Sequence, residues 1–265
     1  MSPAARNRRG GKAMVWGAAV AGAAVLALTG YAVLTGDDDD TRNTGGSGKP
    51  GTSASEPVKT YAPPDEWTEP GKWASLPRGK RTDDQGNPVG FPHTPQGAVA
   101  QMFAAHFTEV NSERSLYEEQ VGAYESYMSE ADQTPSTRRQ VEKDAKKADV
   151  SVRRDFGMPT SGDIPAGGYM RSRPIGFKII QQSKNEVSIY ALSRVTSKAS
   201  ETAKEKGSYT RIVTAARWEN GDWKLSGEAI SQALEAEEGN EGPEIAAPGD
   251  AKFEEAGWTA IREAS

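Results

Sequence analysis

Cysteine is absent from all 265 residues of this chain. Its absence excludes disulfide bonds, thiolate metal sites and a lipid anchor attached through cysteine. Histidine occurs only twice, at His93 and His106, so a zinc site would depend on carboxylates, and no acidic cluster has suitable spacing. The sequence therefore predicts neither a metal nor a cofactor.

Motifs that carry catalysis are also absent. The chain contains no glycine-rich phosphate loop, no Gly-x-Ser-x-Gly elbow, no His-Glu-x-x-His and no aspartate-rich calcium loop. Its net charge of −5 gives no general argument for nucleic acid binding. We therefore expect a protein that is not an enzyme, has no small-molecule substrate and makes no direct contact with nucleic acid.

One uncharged apolar run is present, at residues 14–34. A helix of about 21 residues spans the ~30 Å hydrocarbon layer of a bilayer. The flanking charges are Arg6, Arg8, Arg9 and Lys12 before the run and four aspartates, 37–40, after it. Because basic flanks stay in the cytoplasm, the sequence predicts a single-pass cell membrane protein with a cytoplasmic tail, 1–13, and an extracytoplasmic C-terminal domain. A cleaved signal peptide is the alternative, although its apolar core is usually about 7–15 residues.

Residues 35–90 are predicted to form a linker of two parts. The first part consists mainly of Gly, Ser, Thr and Asp and has little to bury, which is typical of a flexible spacer. The second part is rich in proline and glycine and contains Trp67 and Trp73. These tryptophans either pack against the folded domain as an extended arm or belong to a surface that binds a partner.

Three helices are predicted next, at the start of a domain that covers residues 91–235. Thr94 is the expected cap of the first helix, Ser112 caps the second, and Ser136 or Thr137 starts the third. His106 lies on the apolar stripe of the first helix. It is interpreted as a core histidine with one hydrogen bond, and a catalytic role is the alternative.

The third predicted helix combines basic and acidic residues. Arg139, Lys143 and Lys147 recur at four-residue intervals, and acidic residues are interleaved with them. A solvated face of mixed charge is one interpretation of this pattern, and a docking surface for an acidic partner is the other. Aromatic residues do not interleave with the basic ones, which disfavours nucleic acid as the partner.

After Gly157 the pattern changes from helix to sheet, with four sequential strands. Asn220-Gly221 predicts a two-residue hairpin between the last two, since both central residues of the tight turn need positive φ. The sequence thus predicts an α+β domain in which three helices cover one face of a curved, four-stranded antiparallel sheet. The acidic tail, 236–265, contains a short amphipathic segment with Trp258, which either folds back on the domain or docks elsewhere as a free peptide.

The order of these elements and the hairpin WENGDWKL, 218–225, resemble the nuclear transport factor 2-like fold, a cone formed by helices and a curved sheet. The resemblance covers about residues 90–235. With the predicted anchor, the layout is similar to the bitopic scaffold subunits of type IV secretion and conjugation systems and to conjugative transposon proteins. The segment GFPHTPQGAVAQMFAAHF, 90–107, resembles the opening of such ectodomains in actinobacterial mobile elements.

The resemblance implies a non-enzymatic scaffold of a DNA or protein transfer machine, which associates with itself and with other proteins of the machine. The candidate partner surface comprises Trp67, Trp73, Arg139, Lys143, Lys147 and Trp258. A second hypothesis is an extracytoplasmic binding module for the cell envelope or a regulator. A third is an isomerase or cyclase with His106 or an acidic residue as general base in the cone pocket.

Overall fold

A computed structural model of the chain describes residues 68–262. In this part of the chain, a seven-stranded mixed sheet has helices packed on both faces. The helices are α1 (Pro95–His106), α2 (Leu116–Tyr127), α3 (Pro135–Asp155), α4 (Gly227–Ala236) and α5 (Ala251–Glu255). The sheet comprises β1 (Trp73–Ser75), β4 (Thr108–Val110), β5 (Tyr169–Gln182), β6 (Glu186–Lys198), β7 (Lys206–Glu219), β8 (Asp222–Leu225) and β9 (Thr259–Arg262). A separate small hairpin consists of β2 (Arg81–Thr82) and β3 (Pro88–Val89).

The predicted membrane segment, 14–34, lies outside the described residues, as does Trp67. Among residues 68–262, none of the helices has both the length and the apolar character needed to cross a membrane.

The three long strands, β5 to β7, form the centre of the sheet through antiparallel pairing. Along β6, Val187 and Ile189 belong to the apolar cluster beneath α1, whereas Tyr190 and Leu192 belong to the cluster beneath the C-terminal segment. Successive side chains of a strand point to opposite faces, so β6 is buried on both sides. The sheet therefore needs a covering layer on each face.

The predicted four-stranded cone with helices on one face is wrong. The sheet has seven strands in the order β1-β9-β5-β6-β7-β8, with β4 also paired to β5. Strand β9 is antiparallel to β5 and parallel to β1, so the sheet is mixed. The added strands, β1, β4 and β9, have three or four residues each, which is too short to show a clear alternation in the sequence.

Local signals predicted some helix and turn positions correctly. The side chain of Thr94 accepts a hydrogen bond from the backbone of Gly97, which confirms the cap of α1. The predicted cap of α2 is wrong by three residues, because Ser115 forms a capping box with Glu118. The Asn220–Gly221 turn is confirmed, since both residues have positive φ.

The C-terminal segment packs back on the sheet. Phe253 and Trp258 have no exposed surface and lie in the cluster that contains Tyr190 and Leu192. The indole Nε1 of Trp258 donates a hydrogen bond to the backbone oxygen of Glu244 at 2.7 Å. These contacts make the segment a covering layer of the second sheet face.

We expect Trp258→Ala to lower the free energy of unfolding by about 3–5 kcal/mol, because it removes a fully buried aromatic side chain. Urea denaturation of the purified protein measures the change. Phe107→Ala is the control, since that side chain is 42% exposed and its loss should cost less than about 1 kcal/mol. Equal losses for the two variants would contradict the packing role of Trp258.

Candidate docking surface on helix α3

Helix α3 is held against the domain by one side. Thr134 caps its N-terminus by accepting a hydrogen bond from the backbone of Thr137 at 3.1 Å. Val141, Ala145 and Val152 are buried, and they follow the three- and four-residue spacing of a single helix face. The opposite side of α3 therefore points to solvent.

The solvent side carries a row of four cations. We name Arg139, Lys143, Lys147 and Arg154 the cationic face; all four are exposed. At 1.5 Å rise per residue, the row extends over about 22 Å. Val150 lies in the same row and is 39% exposed. A valine among charged residues gives no helical pattern of its own, so sequence analysis missed it.

Three acidic side chains of α3 lie beside this row, and each makes a hydrogen bond to a residue outside it. Each bonds a side chain four residues away in the same helix: Glu142 with Arg138 at 3.1 Å, Asp144 with Gln140 at 2.7 Å, and Asp149 with Arg153 at 2.9 Å. Pairs at this spacing are neighbours on a helix surface. These three carboxylates therefore neutralise or bond residues outside the cationic face.

Arg138 shows how a paired neighbour differs from the cationic face. It contacts Glu142 and also Glu125 of α2, the latter at 2.6 Å. The hydrogen bond to Glu142 and the charge of Glu125 raise the pKa of Arg138. Within residues 68–262, by contrast, the cationic-face side chains make no hydrogen bond or ion pair.

The two tryptophans of the candidate surface that the structure describes lie elsewhere. Trp73 is half-buried in β1, and the guanidinium of Arg262 lies 5.2 Å from the centre of its ring. Trp258 is fully buried, so its ring is not available to a partner. The structure thus groups Arg139, Lys143 and Lys147, and separates them from Trp73 and Trp258.

The two histidines have structural contacts. His106 is 2% exposed, and its Nε2 lies 2.9 Å from the hydroxyl of Thr214. His93 stacks on Trp218 with ring centres 4.0 Å apart, and its Nε2 lies 2.9 Å from the backbone oxygen of Lys184. The part of the chain that the structure describes has no group of three acidic or histidine residues that could hold a metal ion.

Two clefts on the surface of the described residues are open to solvent. The first has a volume of about 230 Å³ and is lined by Arg81, Thr82, Asp83, Val89, Glu125, Ser126 and Lys224. The second, of about 370 Å³, is lined by Gln181, Gln182, Ser183 and Glu186 at the turn between β5 and β6. Neither cleft includes His106 or the cationic face.

The cationic face should contribute little to folding. We expect the triple variant Arg139→Gln, Lys143→Gln, Lys147→Gln to change the free energy of unfolding by less than about 0.5 kcal/mol, because these side chains lack partners in the domain. Arg153→Gln, on the same helix, should lose about 1–3 kcal/mol, since Arg153 is 8% exposed.

The guanidinium of Arg153 also bonds Asp149 and the backbone oxygen of Gly162, which the variant would leave without that donor. Thermal and urea denaturation measure both variants. A triple variant as destabilised as Arg153→Gln would show that the cationic face has a structural role.

Similarity to known proteins indicates the family of this chain. A family model described as a domain of unknown function (DUF8175) matches residues 32–241, which include all of α3 and α4. The match ends before α5 and β9. Neither a curated protein nor a solved structure matches the chain significantly. Because the family model covers most of its length, the chain belongs to the DUF8175 family.

Proposed function

We propose that this protein is a non-enzymatic assembly subunit, anchored in the cell membrane by residues 14–34, whose extracytoplasmic domain docks acidic protein partners through the cationic face. The machine is a conjugation or secretion system that transfers DNA or protein. The observation that carries the proposal is the row of four exposed cations without partners in the described domain, beside carboxylates that are already bonded.

Charge supports an acidic partner. The cationic face is locally positive although the whole chain carries a net charge of −5. Opposite charge on a partner would steer the encounter and set the orientation of the two proteins. Exposed ion pairs are individually weak, about 0–1 kcal/mol each, so the cationic face suits contacts that form and release.

The predicted anchor supports assembly through such weak contacts. Basic residues precede the apolar run and aspartates follow it, which favours a cytoplasmic N-terminus and an extracytoplasmic domain. Anchoring two proteins in one membrane raises their effective concentration, and weak contacts then suffice to hold them together.

A non-enzymatic role is supported by the position of the candidate general base. His106 is 2% exposed and its Nε2 contacts Thr214 rather than a cleft. A general base must come within hydrogen-bond reach of the proton that it abstracts. Met102 and Phe103, one turn before this histidine on α1, are buried in the apolar cluster between the helix and the sheet.

Full-length protein, crosslinked in its own membranes and affinity-purified, should be recovered in a large assembly with other machine proteins, identified by mass spectrometry. The triple variant Arg139→Gln, Lys143→Gln, Lys147→Gln should recover at least about tenfold less of them, since it removes the charges that contact the partner. The control is Lys184→Gln, Lys204→Gln, Lys206→Gln, which removes the same charge from other exposed positions and should behave like the unsubstituted protein.

Recovery of the unsubstituted protein alone, as a monomer, would overturn the assembly function. Equal recovery of partners by the two triple variants would show that docking does not use the cationic face.

A further inference from the structure

We propose that one occupant of the cationic face is a second copy of this chain, bound through the exposed glutamates at the end of its helix α4. This inference rests on the proposed docking function and identifies the partner. We name Glu235, Glu238 and Glu241 the acidic end. The contact places α3 of one copy against the acidic end of the next.

The carboxylates of the acidic end, like the cations of the cationic face, are not paired within the described residues. All three glutamates are exposed, and their carboxylates make no hydrogen bond or ion pair within residues 68–262. Neighbouring acidic residues differ, because Glu237 accepts a hydrogen bond from the hydroxyl of Tyr190 at 2.9 Å and Glu244 pairs with Lys252. This part of the chain thus contains both paired and unpaired carboxylates, just as α3 contains both paired and unpaired cations.

The two charged surfaces are separate parts of the domain. Val152 of α3 packs in a cluster with Val195 of β6, which lies on the same sheet face as Ile189. Helix α4 packs on that face too, because Ile230 lies in one cluster with Ile189. The acidic end leaves this layer, since Glu237 bonds Tyr190, whose side chain lies on the other sheet face.

An exposed apolar residue accompanies each charged surface. In the described residues, four large hydrophobic side chains are exposed: Phe107, Val150, Ile179 and Leu234. Val150 lies within the cationic face, and Leu234, 38% exposed, directly precedes Glu235. Protein interfaces commonly have an apolar centre and a polar rim. Each charged surface has an apolar residue for the centre and charged residues for the rim, and the charges of the two surfaces are opposite in sign.

Contact between two different surfaces of identical chains is heterologous, so in a pair one copy keeps a free acidic end and the other keeps a free cationic face. Further copies add to both sides, and the assembly closes into a ring or continues as an open row. Because exposed ion pairs are weak and screened by salt, we expect association to need the membrane and to decrease at high ionic strength.

The first experiment locates the contact in full-length protein reconstituted into vesicles. Light and heavy-nitrogen-labelled copies are mixed and treated with a carbodiimide, which joins a lysine amine to a carboxylate in direct contact. We expect peptides that join Lys143 or Lys147 of one isotope to Glu235, Glu238 or Glu241 of the other. The same peptides formed only within one isotope would overturn the proposal.

The second experiment exchanges the charges. A cation-reversed chain carries Arg139→Glu, Lys143→Glu and Lys147→Glu, and an acid-reversed chain carries Glu235→Lys, Glu238→Lys and Glu241→Lys. Recovery of an untagged copy with a tagged copy should decrease by about tenfold or more for either chain alone. It should return when the two reversed chains are mixed, or when both reversals are combined in one chain. Lys184→Glu, Lys204→Glu, Lys206→Glu controls for net charge.

Failure of the mixed and combined reversals to restore recovery would overturn the second-copy contact. If the cation-reversed chain loses other membrane proteins while the acid-reversed chain keeps its own copies, the docking function stands and the second copy is excluded as occupant. If neither reversal changes any recovery, both proposals are wrong.

Discussion

The insertion of β9 between β1 and β5 is the constraint on which the described fold depends. β9 pairs in parallel with β1 at Trp73, Ala74 and Ser75, and in antiparallel with β5 at Gly176 and Phe177. Without β9, β1 would lose its neighbour in the sheet, and the edge of β5 at Gly176 and Phe177 would be open. The ends of the described chain are therefore held in one sheet edge.

The C-terminal segment also positions the part of the chain that follows the predicted spacer. The backbone N–H of Thr68 donates to the backbone oxygen of Gly249 at 3.0 Å, and that of Gly71 donates to the carboxylate of Glu254 at 2.7 Å. If residues 14–34 lie in the membrane, these contacts determine where the tether joins the domain. Gly249 and Glu254, which make these contacts, lie beyond residue 241, where the family match ends.

The same architecture determines which side chains of α3 stay exposed. A sheet buried on both faces requires two covering layers, and α1, α3 and α4 belong to one layer whereas the C-terminal segment with α5 belongs to the other. Side-chain pairs within α3 then occupy Glu142, Asp144 and Asp149, which leaves its outer row positive. A net charge of −5 does not show this local excess of positive charge, because it sums over the whole chain.

Local sequence determined the features that depend only on neighbouring residues. Thr94 caps α1 because its hydroxyl lies three residues before a free backbone N–H, and Asn220–Gly221 turns because both residues tolerate positive φ. The four-residue spacing of Arg139, Lys143 and Lys147 likewise places them on one side of a helix. Each of these signals depends only on residues a few positions apart, so the sequence alone is enough to predict it.

Tertiary structure decided the features that join distant residues. The parallel pairing of Trp73 with Ala260 and the burial of Trp258 depend on segments nearly 190 residues apart, and strands this short carry no pattern that predicts a partner. That the cationic face has no partner within residues 68–262 was also undetermined by sequence, since every acidic residue of α3 lies within reach of a basic one. Only the packed helix, with its inner side buried and its flanking carboxylates bonded, shows which cations remain free.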